Sequence, residues 1–162
     1  MALNLVARSR ELGKATPMKD GFLMMDLMRA FYWFDEGLQA ALKARGWKST
    51  SRSQSITLAN IALGIRRPAE LARNLGISRQ AVSIMLHDMV VQGLITIEAD
   101  PGDRRALLVN FSEASSQLRA DALDILGKLE ATASDLVGAE SLKVLRESLG
   151  KDWGEPPSFD RH

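Results

Sequence analysis

The sequence contains no cysteine, only two histidines and no long apolar run. Without cysteine the chain cannot form disulfides, thiolate zinc sites or thiol redox switches. Because no stretch of about 18 uncharged apolar residues occurs, we expect no membrane-spanning helix and no membrane partner. The first residues lack the long apolar core and cleavage site of a secretory signal. We therefore expect a cytoplasmic protein.

The signatures of common catalytic sites are also missing. The sequence has no glycine-rich phosphate loop, no Gly-x-Ser-x-Gly elbow and no pair of histidines spaced for zinc. Asp35 and Glu36 are neighbouring carboxylates, but adjacent residues of a helix point apart. We expect a protein that is not an enzyme, uses no cofactor and binds no metal.

Charge is distributed unevenly along the chain. Residues 1–111 hold 15 Lys/Arg and 10 Asp/Glu, whereas residues 112–162 hold 6 and 10, so a net charge of +1 hides a basic front and an acidic rear. A basic front favours an anionic partner, although a solvated mixture of charges has the same composition.

Long amphipathic patterns lie on both sides of the middle of the chain. Over residues 20–45 apolar side chains recur at spacings of three and four, and a second apolar set widens that helix face. Similar patterns predict helices over 113–134 and 136–149. A helix that is apolar on two sides must be covered on two sides, which favours a second copy of the chain.

Between these helices the sequence predicts a helix-turn-helix. One helix is predicted over 51–63; Pro68 begins the next, which Gly76 ends, and Ser78 caps a third that runs to Gly93. The residues expected to face the core are Ile56, Ala59 and Leu63 on the first of these helices, and Val82, Met89 and either Met85 or Leu86 on the third.

After Gly93 the apolar period changes from that of a helix to that of a strand. Two extended runs, 94–97 and 106–111, flank an Asp-Pro-Gly-Asp turn and predict a β-hairpin. Directly after a helix-turn-helix, such a hairpin is a wing, so we predict a mainly α, winged helix-turn-helix fold. The predicted division is a flexible arm over 1–19, a helical dimerisation region over 20–50 and 112–150, a DNA-binding module over 51–111 and a tail over 151–162.

The third helix is predicted to be a recognition helix, with one side on the core and the other in the major groove of DNA. Its outward residues are Arg79, Gln80, Ser83, Ile84 and His87. Arginine can contact guanine and glutamine adenine with two hydrogen bonds each, and Ser83 is small enough for close approach. The N–H groups that follow Ser78 suit a phosphate. The same residues also fit an ordinary solvated helix face, His87 above all.

Two arginines, Arg104 and Arg105, follow the turn of the wing. A wing tip lies against the minor groove or backbone, where arginine is favoured. We expect Arg104 to enter the groove and Arg105 to divide its contacts between Asp103, through a fork of hydrogen bonds, and the DNA backbone, with the reverse assignment open. Generic phosphate candidates are Arg66, Arg67 and Arg73.

These residues resemble the multiple-antibiotic-resistance regulator (MarR) family. The resemblance is carried by AELARNLGISRQAVSIMLHDMVVQGLITIEADPGDRRALLVNFSE, and the match covers roughly residues 55–115. Its elements are Glu70-Leu71-Ala72, the turn Leu75-Gly76-Ile77-Ser78, the step Gly93-Leu94-Ile95 and an Asp-x-Arg wing at Asp103–Arg105. Phe111-Ser112 stands where the family usually has Leu-Thr, and residues 46–55 match only loosely.

The resemblance implies a homodimer with interlocking first and last helices. It also implies a transcription factor, usually a repressor, that binds a short palindrome of double-stranded DNA and is often released by a small molecule. Effector sites of the family commonly lie between the dimerisation helices and the DNA-binding module, which makes Trp33 and Trp47 candidates, although both aromatics also suit a core or a dimer interface. The absence of cysteine excludes the branch that senses peroxide through a thiol.

A winged helix used only for protein–protein contact is the alternative. Residues 65–105 hold six Lys/Arg and five Asp/Glu, so the local positive charge is modest. Arginines at both predicted groove-facing sites argue for DNA instead.

Overall fold

A computed structural model describes residues 21–159, apart from the side chain of Arg104, and the arm predicted over 1–19 lies outside them. The described part is mainly helical with one two-stranded antiparallel sheet, which confirms the predicted winged helix-turn-helix class. The elements are α1 (Leu23–Ala44), α2 (Arg52–Ala62), α3 (Pro68–Leu75), α4 (Arg79–Val91), β1 (Ile95–Asp100), β2 (Asp103–Phe111), a 3-10 turn (Glu113–Ser115), α5 (Ser116–Val137) and α6 (Ala139–Leu149). Within the described residues, no helix is both long enough and apolar enough to cross a bilayer.

The chain divides into two compact units at Trp33 and Phe34, inside α1. In the first unit the described residues begin at Gly21 and carry many exposed apolar side chains. These are Phe22, Leu23, Met24, Met25, Met28, Phe31, Tyr32 and Trp33. The second unit, from Phe34 onward, contains the winged module and the later helices.

The core of the second unit lies between α2, α3, α4 and the hairpin. Val82, Leu86 and Met89 recur at spacings of four and three and are fully buried, as predicted, with Leu86 rather than Met85 at the centre. The remaining core residues are Ile61, Leu71, Ala72, Leu94, Ile95 and Val109. Burying each large apolar side chain stabilises the fold by roughly 1.5–3 kcal/mol.

The core face of α2 differs from the predicted one. The buried residues are Gln54, Thr57 and Ile61, whereas Leu63 is 79% exposed and Ala59 is exposed. Thr57 can face the core because its hydroxyl donates to the Ser53 carbonyl at 2.8 Å, which satisfies the buried polar group within its own helix. Gln54 is held in a capping box with Ser51.

The turn between α3 and α4 follows the predicted chemistry. Pro68 stands at the first turn of α3, and Gly76 ends that helix with φ +64°, a left-handed conformation that glycine adopts without strain. The Ser78 hydroxyl accepts the Ala81 N–H at 3.1 Å and caps α4. These short-range preferences fix the direction in which α4 leaves the turn.

The hairpin is longer than predicted because pairing continues up to the turn. Asp100 pairs with Asp103 after an irregularity beside Ala99. On the outer edge of β2, the Val109 N–H donates to the Arg66 carbonyl at 2.9 Å. The backbone just before α3 therefore pairs with the wing.

Helix α5 packs closely on the second half of α1. A Cβ added at Gly37 would lie 2.8 Å from Leu129 Cδ2, so a larger residue there would require the Leu129 side chain to shift. At the end of α1, the Trp47 indole N–H donates to Asp121 Oδ2 at 2.7 Å, and Arg45 pairs with Asp121 at 3.0 Å and also with Asp124. The pKa of the Asp121 carboxyl is lowered, first by the Trp47 hydrogen bond and then by Arg45.

Candidate nucleic-acid interface

The outward side of α4 brings the predicted recognition residues together. Arg79, Gln80, Ser83, Ile84 and His87 are all exposed, whereas Val82, Leu86 and Met89 of the same helix are buried. At helical spacing they form two neighbouring rows, one of Arg79, Ser83 and His87 and the other of Gln80 and Ile84. Because the other side of α4 is fixed in the core, the helix presents these five side chains on a rigid support.

Ser78 precedes this surface and caps its helix. The Ser78 hydroxyl accepts the Ala81 N–H, so the side chain is engaged in the cap. The first turn of α4 carries no acidic residue that would repel a phosphate. The geometry therefore gives Ser78 the role of placing the start of the recognition helix.

Asp100 braces the wing, whereas the sequence predicts it only as part of the turn. Asp100 is 7% exposed; its Oδ1 accepts the Gly102 N–H at 2.8 Å, and its Oδ2 accepts a hydrogen bond from Arg67 at 2.6 Å. The Gly102 hydrogen bond is the largest cause of the lowered pKa of Asp100, followed by that from Arg67. An aspartate two residues before a turn glycine is a recognisable signal for such a turn.

Asp103 orders the start of the second strand. Its Oδ1 accepts the backbone N–H of Arg105 at 3.1 Å, and the fork of hydrogen bonds to a guanidinium stays a prediction. Arg105 is exposed beside the turn, where a wing arginine is expected. Arg104 belongs to β2, but its side chain lies outside the described part of the structure.

The three generic phosphate candidates occupy different environments. Arg66 is half-buried, and its Nε donates to the Val109 carbonyl at 3.4 Å. Arg67 pairs with Asp100 but keeps 48% of its side chain exposed. Arg73 is exposed in the last turn of α3. The first two therefore support the wing, whichever further contacts they make.

A largely apolar cavity of about 260 Å³ lies between the second half of α1, α2, the start of α5 and the base of the wing. Polar groups at its wall include Gln39, which donates to Thr50 at 2.9 Å and to Ser55 at 3.0 Å. The Arg119 guanidinium lies 5.0 Å from the centre of the Phe111 ring. The apolar lining residues include Leu38, Leu42, Leu58, Leu94, Leu118, Ala122 and Leu126.

Neither tryptophan predicted for an effector pocket is among the described residues that line this cavity. Trp47 instead directs its indole N–H to Asp121, and Trp33 belongs to the other compact unit. The wall is built mainly from aliphatic residues on four separate elements, together with Phe111, Lys48 and Arg119. No short motif joins such residues, so tertiary packing alone assembles them.

Comparison with known proteins finds a family match for the winged module. Residues 49–106 match the model of a family described as the MarR family. No curated protein matches the chain in sequence.

Several solved structures share the fold at low sequence identity. Wild-type E. coli MarR in its apo form has a TM-score of 0.61 at 19% identity, over 82% of this chain and 97% of that one. The transcriptional regulator Tm0710 from Thermotoga maritima gives 0.57 at 20%, over 78% and 91%. The transcriptional repressor CouR, bound to a 23-mer DNA duplex, gives 0.57 at 22%, over 80% and 90%.

Proposed function

Because residues 49–106 match the MarR family, we propose that this chain is a sequence-specific transcriptional regulator that binds double-stranded DNA as a homodimer. One observation carries the proposal. Helix α4 is capped at Ser78, is anchored by a buried apolar side and exposes Arg79, Gln80, Ser83 and His87 next to a hairpin wing. The similar fold of CouR, a repressor bound to a DNA duplex, supports the same reading.

In this proposal α4 enters the major groove while the wing contacts the adjacent minor groove or backbone. Arg79 and Gln80 stand in the first turn, where side chains reach base edges, and their hydrogen bonds suit guanine and adenine. Arg104 and Arg105 belong to the wing contact. Arg67, still half exposed beside Asp100, and Arg73 are available for phosphates.

Exposed apolar side chains on the helices outside the module support the homodimer. Leu123 and Leu136 on α5 are each about 70% exposed, and Leu145 on α6 is also exposed. A single chain seldom leaves so many large apolar groups in water unless another surface covers them. Two copies paired by these helices would place two recognition helices about 34 Å apart, one helical turn of DNA, and so select a palindrome.

The cavity of about 260 Å³ supports release by a small molecule. It is bounded by the helices proposed to pair the two copies and by the base of the wing, so an occupant would touch both regions. Its aliphatic wall suits a small, largely apolar molecule, and Lys48 and Arg119 add positive charge at its edge. An occupant would change the placement of α1 and α5 relative to the base of the wing, and with it the spacing of the recognition helices.

The protein-contact alternative is favoured by one observation. The net charge of residues 65–105 is only +1, which is a weak general attraction for a DNA backbone. Under that alternative the outward side of α4 would contact a protein, and DNA would bind no better than expected from charge.

Selection of bound duplexes from a random DNA pool tests the proposal. We expect a palindromic sequence, bound by a dimer, with an affinity that falls steeply as salt is raised. The matched control is the double variant Arg79→Ala with Gln80→Ala, which should fold normally and select no sequence. Absence of binding to any duplex at low salt would reject DNA regulation in favour of the alternative.

A further inference from the structure

Ile84 is an apolar residue in the middle of the polar, outward side of α4. It is 59% exposed, and its neighbours on that side are Gln80, Ser83 and His87. We propose that Ile84 determines part of the DNA sequence by contacting the C5-methyl group of a thymine. This inference rests on the proposed function, because it assigns a base preference to the same recognition helix.

The placement of Ile84 brings it to the bases rather than to the phosphates. It follows Gln80 by four residues, so the two side chains stand one above the other on the same row. A rise of about 1.5 Å per residue separates them by roughly 6 Å along the helix, close to the spacing of two base pairs. If Gln80 contacts an adenine, Ile84 reaches the base pair about two steps away.

The chemistry of the groove leaves one apolar partner for this side chain. The other groups that distinguish the base pairs there are hydrogen-bond donors and acceptors, whereas thymine presents a methyl group. An isoleucine placed over the edge of a G·C pair would remove water from polar groups without replacing their hydrogen bonds. Ile84 would therefore both favour thymine and disfavour the alternatives.

The local structure keeps the loss of side-chain conformational entropy on this contact small. A β-branched side chain in a helix has few accessible χ1 rotamers, so little freedom is lost on binding. Val82, Leu86 and Met89 hold the opposite side of α4 in the core. Ile84 therefore meets the groove as a preformed apolar surface.

Replacing thymine by deoxyuridine removes only the methyl group and leaves base pairing intact. In the selected duplex each thymine is replaced in turn, and the affinity of the wild-type protein is compared with that of Ile84→Ala. We expect one thymine per half-site at which the replacement weakens wild-type binding about three- to fivefold, the effect of losing one buried methyl contact, and leaves the variant unchanged. Ile84→Val, which keeps a branched side chain, should retain part of the sensitivity.

Val90→Ala is the matched control, since it shortens a β-branched side chain of the same helix about 120° away from Ile84. It should show the same dependence on the methyl group as the wild-type protein. The inference is overturned if no thymine shows this dependence, or if Ile84→Ala remains as sensitive as the wild type, even though DNA binding itself persists. If no duplex is selected at all, the proposed function fails, and the inference fails with it.

Discussion

The two sides of α4, a helix of thirteen residues, differ in burial and in the role proposed for them. On one side Val82, Leu86 and Met89 are buried and bind the helix to the rest of the module. On the other side the described side chains are exposed, so burial in the core does not fix their identity. Stability and the proposed recognition should therefore be separable in this helix, and substitutions can test the separation.

The largest effect is expected on the buried side. Leu86→Ala should destabilise the protein by about 2–5 kcal/mol, since it leaves a cavity in a close-packed core. Urea unfolding followed by circular dichroism measures this change. Ser83→Ala, on the exposed side of the same helix, should change stability by less than about 0.5 kcal/mol; equal losses in the two variants would contradict the separation.

The same distinction extends to α5, where Ile125 is buried and Leu123 is exposed. Leu123→Asp combined with Leu136→Asp should separate the two copies without unfolding either, because both side chains face water within one chain. Light scattering should report a monomer with a normal helical spectrum. Ile125→Asp, in contrast, should unfold the chain, and a stable dimer in the Leu123/Leu136 variant would place the interface elsewhere.

A smaller effect is expected for Gln80 on the exposed side of α4. Gln80→Ala should relax the base preference at one position of each half-site by about 1–3 kcal/mol without lowering stability. Sequencing of the selected pool measures this. A selection profile identical to that of the wild type would remove Gln80 from the recognition surface.

Arg105→Ala should weaken binding to all sequences alike. The contact proposed for Arg105 is with the groove or backbone rather than with a base edge, so the loss of one charge contact should reduce the slope of log affinity against log salt by about 1. Binding titrations at several salt concentrations measure this slope. Lys151→Ala in the tail is a control with the same loss of charge. If its salt slope changed by the same amount, the effect of Arg105→Ala would be explained by net charge alone.

The smallest effect is a pH dependence arising from the wing brace. The pKa of Asp100 is lower in the folded chain than its ordinary value of 3.8, so its ionised form stabilises the fold above that value. This stabilisation is lost as the pH falls from about 4 through the lowered pKa. Asp100→Asn should reduce the loss of stability with acid in that range, as measured by unfolding titrations. Asp135→Asn on α5 serves as the control, and identical acid profiles for Asp100→Asn and wild type would reject the brace.

Much of the fold could be predicted from local chemistry. Proline at the start of α3, glycine at its end and the serine cap of α4 act over a few residues, and apolar spacing identified the buried side of α4. Spacing failed on α2, because Thr57 is polar by type yet satisfied by the Ser53 carbonyl. A hydropathy pattern cannot register a hydrogen bond that makes a polar side chain fit for the core.

The candidate site shows the same limit. The exposed residues of α4 follow from helix geometry and were predicted, whereas the Arg67–Asp100 pair joins residues 33 apart in the sequence. The cavity wall likewise comes from four elements that only tertiary packing brings together. Long-range pairs of this kind have no local signal in the sequence. Trp47, predicted to line the pocket, instead donates a hydrogen bond to Asp121.

The backbone pairing of Val109 with Arg66 has a mechanical consequence. It joins β2 to the chain two residues before Pro68, and the Arg67–Asp100 pair ties the hairpin turn to the very next residue. A displacement of α3 must therefore carry the hairpin with it. In the proposed dimer, a change of DNA affinity would therefore come from a change in the distance between the two winged modules and not from bending of either wing.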